Sequence, residues 1–119
     1  MVDEMRQALD DARAGWDDTG EAWIDSGLAY REGDPVRVHV RKRGHRYDLT
    51  DDGAAVKKAR VRDWLPLAQD VVDAYWLNIN RRGVVSVGAV EGRELAPLAA
   101  QVAETSLAVY QELLDAQPD

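Results

Sequence analysis

The stretch from residue 36 to residue 53 constrains the fold of this chain most. Val36, Val38 and Val40 alternate with basic residues, which is the two-residue period of a half-buried strand. A glycine, Gly44, separates this run from a second short run that ends at Leu49. The stretch therefore predicts a β-hairpin in which one face of both strands is apolar.

A tight turn around positions 43 and 44 predicts the register of this hairpin. Val40 then lies opposite Tyr47 and Val38 lies opposite Leu49, so that both pairs share the apolar face. On the other face, His39 lies opposite Asp48, and Arg41 lies opposite Arg46.

The hairpin leads directly into a predicted helix over about residues 51–59. Thr50 is suited to cap this helix, because its hydroxyl can accept a hydrogen bond from a backbone N–H of the first turn. Asp51 and Asp52 follow as the first helical residues, where acids suit the positive end of the helix dipole.

The N-terminal third of the chain predicts a helix and a strand. Apolar residues at three- and four-residue steps predict an amphipathic helix that ends near Gly15. The stretch from Ala22 to Arg31 predicts a strand, and Gly27 within it indicates either a bulge or a close approach of another backbone segment. A turn over residues 32–35 leads to the central hairpin.

The C-terminal half predicts a helix, a hairpin and a long helix. Asp63 is the expected cap of the first helix, with Pro66 in its first turn. A three-residue loop, Arg81 to Gly83, pairs Ile79 with Val85 on one face of the second hairpin. The last helix is expected from near position 93 to about position 115, lying across the sheet.

These elements predict a single α+β domain over residues 1–119. About five antiparallel strands, in two hairpins plus one strand, pack against an N-terminal helix, two middle helices and a long C-terminal helix. The second apolar row of the C-terminal helix leaves two alternatives open, a monomer or a homodimer formed through this helix.

Four tryptophans carry much of the aromatic surface of the chain. Trp64 and Trp76 lie on the apolar side of the predicted middle helix, which places both in the core. Trp23 is the best candidate for an exposed aromatic residue, although a core position is expected for it too.

The formal net charge of −7 is unevenly distributed along the chain. Both ends carry an excess of acids, whereas residues 31–93 carry an excess of basic residues. A pI near 4.8 argues against a dedicated nucleic-acid-binding protein, but it leaves room for a local basic surface.

Two charged surfaces are candidate binding sites. The basic residues crowd the two hairpin tips and the connection between the middle helices: Arg41, Lys42, Arg43, Arg46, Lys57, Lys58, Arg60, Arg81 and Arg82. The acidic residues lie along the first helix and after it: Asp10, Asp11, Asp17 and Asp18. The first set suits an anion such as nucleic acid, and the second set suits a basic partner protein.

Catalytic chemistry has one candidate, an acidic group near the central hairpin. Asp34 and Asp48 are the pair that would hold Mg²⁺ for phosphodiester cleavage, but Thr50 stands where such sites usually place a lysine. His39 and His45 have no second histidine or cysteine at ligand spacing. We therefore predict no catalytic residue, no metal site and no cofactor, and a nuclease is the third alternative.

The order of the elements and the segment from Tyr47 to Gly53, with its L-T-D-D-G motif, resemble a family of bacterial and phage domains. Gly33 and Asp34 before the central strand, and the closing hairpin with its helix, extend the resemblance over roughly residues 22–115. The family is domain-of-unknown-function family eighteen twenty-eight. The resemblance implies the fold. It also implies a chain that recognises another macromolecule, as phage accessory, antitoxin and immunity-type proteins do.

We therefore expect a non-catalytic binding module that recognises a partner protein through charged surfaces. The alternative is nucleic-acid binding through the basic hairpin tips. No stretch approaches the roughly 20 apolar residues of a membrane span, and no cysteine is present, so that no membrane partner and a cytoplasmic location are expected.

Overall fold

The computed structural model describes residues 21–117. The predicted first helix, with its four acidic candidate residues, lies outside them. Within residues 21–117 the chain forms five strands, one 3₁₀ turn and three α-helices. In chain order these are β1 Glu21–Ala29, β2 Pro35–Arg43, β3 Arg46–Thr50, α1 Ala54–Ala59, α2 Leu65–Ala74, β4 Asn78–Ile79, β5 Val85–Val90, the 3₁₀ turn Gly92–Glu94, and α3 Leu95–Asp115.

The strands form one antiparallel sheet in the order β1-β2-β3-β5-β4. The two helices α1 and α2 connect β3 to β4, and the second hairpin returns so that β5 lies next to β3. This arrangement confirms the predicted α+β class, with two hairpins plus one strand and a long C-terminal helix.

The helix α3 lies across one face of the sheet, as predicted. It contacts β1, β2, β3 and β5, and the shorter helices α1 and α2 pack against it. Val36, Val38, Val40 and Leu49 point from the sheet into this layer and are fully buried. The alternation of apolar residues along β2 therefore positions the sheet against the helix.

The register predicted for the first hairpin is wrong by two residues. Val40 lies opposite Leu49, and Arg41 lies opposite Asp48. The turn consists of Gly44 and His45, and a two-residue turn with φ of 60° at its first position favours glycine there. The observed register keeps the same apolar face, sets Arg41 opposite an acid, and moves the pairing of two arginines to Arg43 and Arg46 next to the turn.

The second hairpin confirms its prediction. Ile79 lies opposite Val85, and Gly83 has a φ of 80°, the left-handed conformation expected at the end of a three-residue loop. The register shift between Asp25 and Ala29 also confirms the predicted bulge around Gly27.

Both predicted helix caps are wrong in detail. The helix α1 begins at Ala54 instead of position 51, because Thr50 is still the last residue of β3. The Thr50 hydroxyl does accept the Asp52 N–H, at 3.0 Å. The helix α2 begins at Leu65 with Trp64 as its cap residue, and no side chain, including that of Asp63, caps it.

Two tryptophans expected in the core are exposed. Trp76 is 89% exposed, because α2 ends at Ala74 and Trp76 has a left-handed φ of 63° that turns the chain away from the helix axis. Trp23 is 52% exposed, because its neighbour Ile24 takes the core position on β1. Trp64 is partly buried against the core, in line with its prediction.

No helix within residues 21–117 is both long enough and apolar enough to cross a bilayer.

The loop of the second hairpin gives a stability prediction. A Cβ atom at Gly83 would lie 2.8 Å from the Val56 Cβ of α1, and its left-handed φ adds further strain. We expect Gly83→Ala to lower the free energy of unfolding by about 2–4 kcal/mol. Gly44→Ala is the matched control, since it has a similar φ but nothing within 4 Å, and it should cost about 1 kcal/mol. Equal losses in denaturant titrations of both variants would contradict the close contact.

Candidate functional site

A buried carboxylate, that of Asp51, joins three elements of the fold. Asp51 is 1% exposed and follows β3 directly. Its Oδ1 accepts the N–H of Gly53 at 2.8 Å and the N–H of Val85 on β5 at 2.9 Å. Its Oδ2 accepts the hydroxyl of Ser106 on α3 at 2.7 Å. The side chain therefore links the sheet, the helix α3 and the turn before α1.

The network continues from Ser106 to the end of β1. The Tyr30 hydroxyl lies 2.8 Å from Ser106 Oγ, and the ring of Tyr30 packs edge-on against Tyr110 with centroids 5.0 Å apart. The Tyr110 hydroxyl donates to Glu32 at 3.1 Å. The polar groups in this part of the core therefore have partners, as buried polar groups require.

Burial governs the protonation of this network. Burial raises the pKa of Asp51, while the hydrogen bonds from Ser106, Gly53 and Val85 partly offset that rise. Burial likewise raises the pKa of Tyr30 to about 12. Both oxygens of Asp51 are occupied by hydrogen bonds within the fold, which gives this carboxylate a structural role.

The network fixes a turn that separates two surface depressions. Asp52 and Gly53 both have left-handed φ values, 57° and 77°. One depression, of about 710 Å³, includes His39, Asp48, Thr50, Asp52, Ser86 and Gly88 in its lining. The other, of about 510 Å³, includes Asp34, Arg37, His39, Asp52, Lys57 and Lys58. The two depressions share His39 and Asp52, so that they adjoin on the sheet face that lies away from α3.

This open face carries a row of charged side chains and an aromatic ring. On β2, Arg37, Arg41 and Arg43 are exposed and alternate with the buried valines. Trp23 on β1 lies opposite His39, and the guanidinium carbon of Arg37 lies 4.1 Å from the centroid of the Trp23 ring. The contact is a cation–π interaction.

The basic residues predicted as one candidate site do not form one surface. Tyr47 at the start of β3 lies opposite Val90, whereas Thr50 at its end lies opposite Ser86, near the loop between β4 and β5. The two hairpin tips therefore lie at opposite ends of the sheet. Lys57 and Lys58 lie within α1, and not on the connection after it.

Several of these basic residues are paired with acids of the same fold. Arg43 Nε lies 2.8 Å from Asp48, and Lys58 forms an ion pair with Asp34. Arg46 lies 3.6 Å from Glu91. Among the predicted basic residues, those that are exposed and have no ion pair with residues 21–117 are Lys42, Lys57, Arg60, Arg81 and Arg82.

The acidic pair considered for Mg²⁺ does not converge. Asp34 precedes the first residue of β2, whereas Asp48 lies opposite Arg41, so that about 20 Å of strand separates them. The Lys58 ammonium beside Asp34 lowers the pKa of that carboxyl through a hydrogen bond and its charge. Residues 21–117 contain no group of three or more potential ligands placed to hold a metal ion.

The opposite side of the molecule, formed by α2 and α3, is acidic. Residues 63–80 and 94–117 contain no lysine or arginine. The exposed acids of this helical face are Asp70, Asp73, Glu104, Glu112 and Asp115. Trp76 follows α2 at this face, where its N–H donates to the Asp73 carbonyl at 3.1 Å.

Sequence reasoning missed the two residues that distinguish this structure most. Asp51 was predicted as a first residue of a helix. Val85 and Ser106 are far from it in the sequence, so that no sequence pattern indicated their hydrogen bonds with it. Trp76 was predicted in the core because it continues the helical spacing of the apolar residues, although α2 ends before it.

The comparisons with known proteins identify no relative. No protein-family model matches the chain, and neither a curated protein nor a solved structure is similar enough to it to match. The resemblance to the family named above therefore stays a prediction.

The buried carboxylate gives a prediction that depends on pH. Asp51→Ala leaves two backbone N–H groups and a hydroxyl without their acceptor and should cost about 3 kcal/mol of unfolding free energy. Asp51→Asn should cost less than about 1 kcal/mol, because its oxygen can accept both N–H groups and its amide can donate to Ser106.

The sign of the pH dependence follows from the raised pKa of Asp51. The fold binds the proton of Asp51 more tightly than the unfolded chain does, so that the stability from this difference is present at low pH and is lost as pH rises from the ordinary pKa of 3.8 through the raised pKa of the folded protein. Denaturant titrations of wild type and Asp51→Asn across this range should show the wild type losing stability relative to the variant. The opposite trend would contradict the raised pKa.

Proposed function

We propose that this chain is a non-catalytic binding module that recognises a partner protein through the acidic face of α2 and α3, with Trp76 as the anchor. The observation that carries the proposal is the exposure of Trp76, 89% of whose surface is in contact with solvent. Tryptophan is the residue type most enriched at the energetic centres of protein interfaces.

The backbone at Trp76 supports this proposal. A left-handed φ of 63° costs a bulky residue about 1–2 kcal/mol, and the exposed ring gains little burial in return. The chain around it is well fixed, because Leu77 is buried and the Tyr75 carbonyl accepts a hydrogen bond from Gln101 of α3. A ring held outward from a fixed backbone is preorganised for insertion into a pocket.

The charges around Trp76 define the partner. Asp70 and Asp73 lie on α2, and Glu104 lies one turn beyond Gln101 on α3. An apolar pocket for the indole ring, surrounded by lysine or arginine residues, matches this arrangement. The acidic residues expected from the sequence, Asp10, Asp11, Asp17 and Asp18, lie outside the described residues and add to the proposal only their negative charge.

From the resemblance of the L-T-D-D-G segment we take the further proposal that the chain recognises another macromolecule as phage accessory, antitoxin or immunity-type proteins do. This part of the proposal rests on the residues that carry the resemblance. It agrees with a binding role and adds no catalytic group.

The test compares two exposed tryptophans on opposite sides of the molecule. The tagged wild-type protein is first used to capture a partner from the source cells, and the partner is then purified. This partner should bind Trp76→Ala at least about 30-fold more weakly than it binds wild type, as expected for the loss of an interface anchor. Trp23→Ala, which removes an exposed ring from the other side, is the matched control and should keep wild-type affinity.

The stability of the variants distinguishes an interface from a folding defect. Trp76→Ala should unfold at nearly the same denaturant concentration as wild type, because little of the ring is buried. A partner that binds Trp76→Ala as tightly as wild type, or that is lost equally with Trp23→Ala, would contradict the proposed interface.

A further inference from the structure

We propose that the open face of the sheet binds single-stranded nucleic acid along β2, at a site separate from the α2–α3 face. The inference rests on an aromatic ring, a row of basic side chains and two adjoining depressions on this one face. It differs from the expectation drawn from the sequence, which placed such binding at the hairpin tips.

The ring of Trp23 offers a stacking platform. Half of its surface is exposed, and the Arg37 guanidinium packs over it at 4.1 Å from the ring centroid. Bases of single strands stack on such rings without sequence preference, and arginine adds a cation–π contribution. The pairing of Trp23 with His39 places the ring beside the depressions that share His39.

Three basic side chains of β2 lie on one face of the strand. Arg37, Arg41 and Arg43 project from the same face, and residues two apart along a strand are separated by about 6.6 Å. Arg37 lines the depression of about 510 Å³, Arg41 lines the depression of about 710 Å³, and Lys57 of α1 lines the smaller one. An extended phosphate backbone that follows β2 meets these cations in succession.

Two acids of this face are paired within the fold, whereas the exposed Asp25, opposite Arg37, and Asp52, which lines both depressions, form no ion pair with the residues that the structure describes. Asp48 accepts hydrogen bonds from Arg43 and from the Ala89 N–H, and Asp34 accepts one from Lys58. Pairing reduces the negative charge that Asp34 and Asp48 present along β2.

The shape of the face favours a single strand over a duplex. Stacking on Trp23 requires a base whose face is accessible, and bases in a duplex are stacked on one another. The basic hairpin tips lie at opposite ends of the sheet, so that they cannot enter one groove together.

The experiment measures fluorescence anisotropy of labelled single-stranded DNA and RNA of about ten nucleotides, with a duplex of equal length, at several salt concentrations. We expect wild type to bind the single strands more tightly than the duplex. Trp23→Ala should weaken binding about tenfold, since it removes the stacking ring. Arg37→Gln should weaken binding and reduce the slope of log affinity against log salt by about one.

The matched control is Lys42→Gln. It makes the same change in charge on the same strand, but Lys42 projects from the opposite face, on the parity of the buried valines. Lys42→Gln and Trp76→Ala should both keep the wild-type affinity for single strands, which also separates this site from the proposed protein interface.

Three results would overturn the inference. The first is no binding of single strands at low salt, where electrostatic contacts are strongest. The second is equal loss of affinity in Lys42→Gln and Arg37→Gln, which would show attraction to overall charge only. The third is binding of duplex, or of a free mononucleotide, as tightly as of the single strand.

Discussion

The fold depends on one carboxylate that accepts hydrogen bonds from three separate elements. Asp51 connects its own turn to β5 and to α3, so that the sheet, the crossing helix and the start of α1 share one polar centre. Valine packing alone is compatible with small sliding motions of a helix over a sheet, whereas directed hydrogen bonds to a buried carboxyl group are not. This centre thereby fixes the turn that divides the open face into its two depressions.

The two sides of the molecule differ in charge and each presents one tryptophan. The acidic helical side carries Trp76 on a strained backbone, and the sheet side carries Trp23 beneath an arginine. The uneven charge along the sequence thus becomes a difference between opposite surfaces. The two proposed binding sites therefore lie on opposite surfaces, with α3 between them.

The two hairpins show what a sequence pattern can and cannot determine. In the second hairpin a two-residue loop would have set Ile79 opposite Ser86, whereas the three-residue loop sets it opposite Val85. The matching of apolar residues therefore selected the correct register. In the first hairpin the rival registers differ by two residues and keep the same face, and the pattern could not distinguish them. The helix α3 was predictable from its long apolar stripe. The Asp51 network and the exposure of Trp76 were not, because the first depends on contacts distant in sequence and the second on where a helix ends.

The hydrogen bonds of Asp51 also set the timescale on which two backbone amides meet solvent. The N–H groups of Gly53 and Val85 lie outside regular ladder bonds, where local fraying usually governs hydrogen exchange. The Val85 N–H reaches an acceptor 34 residues earlier in the sequence, so that it opens only when β5 separates from the turn that carries Asp51, whereas the Gly53 N–H bonds within that turn itself. Exchange at Val85 therefore reports the separation of β5 from this turn, and exchange at Gly53 reports the local opening of the turn.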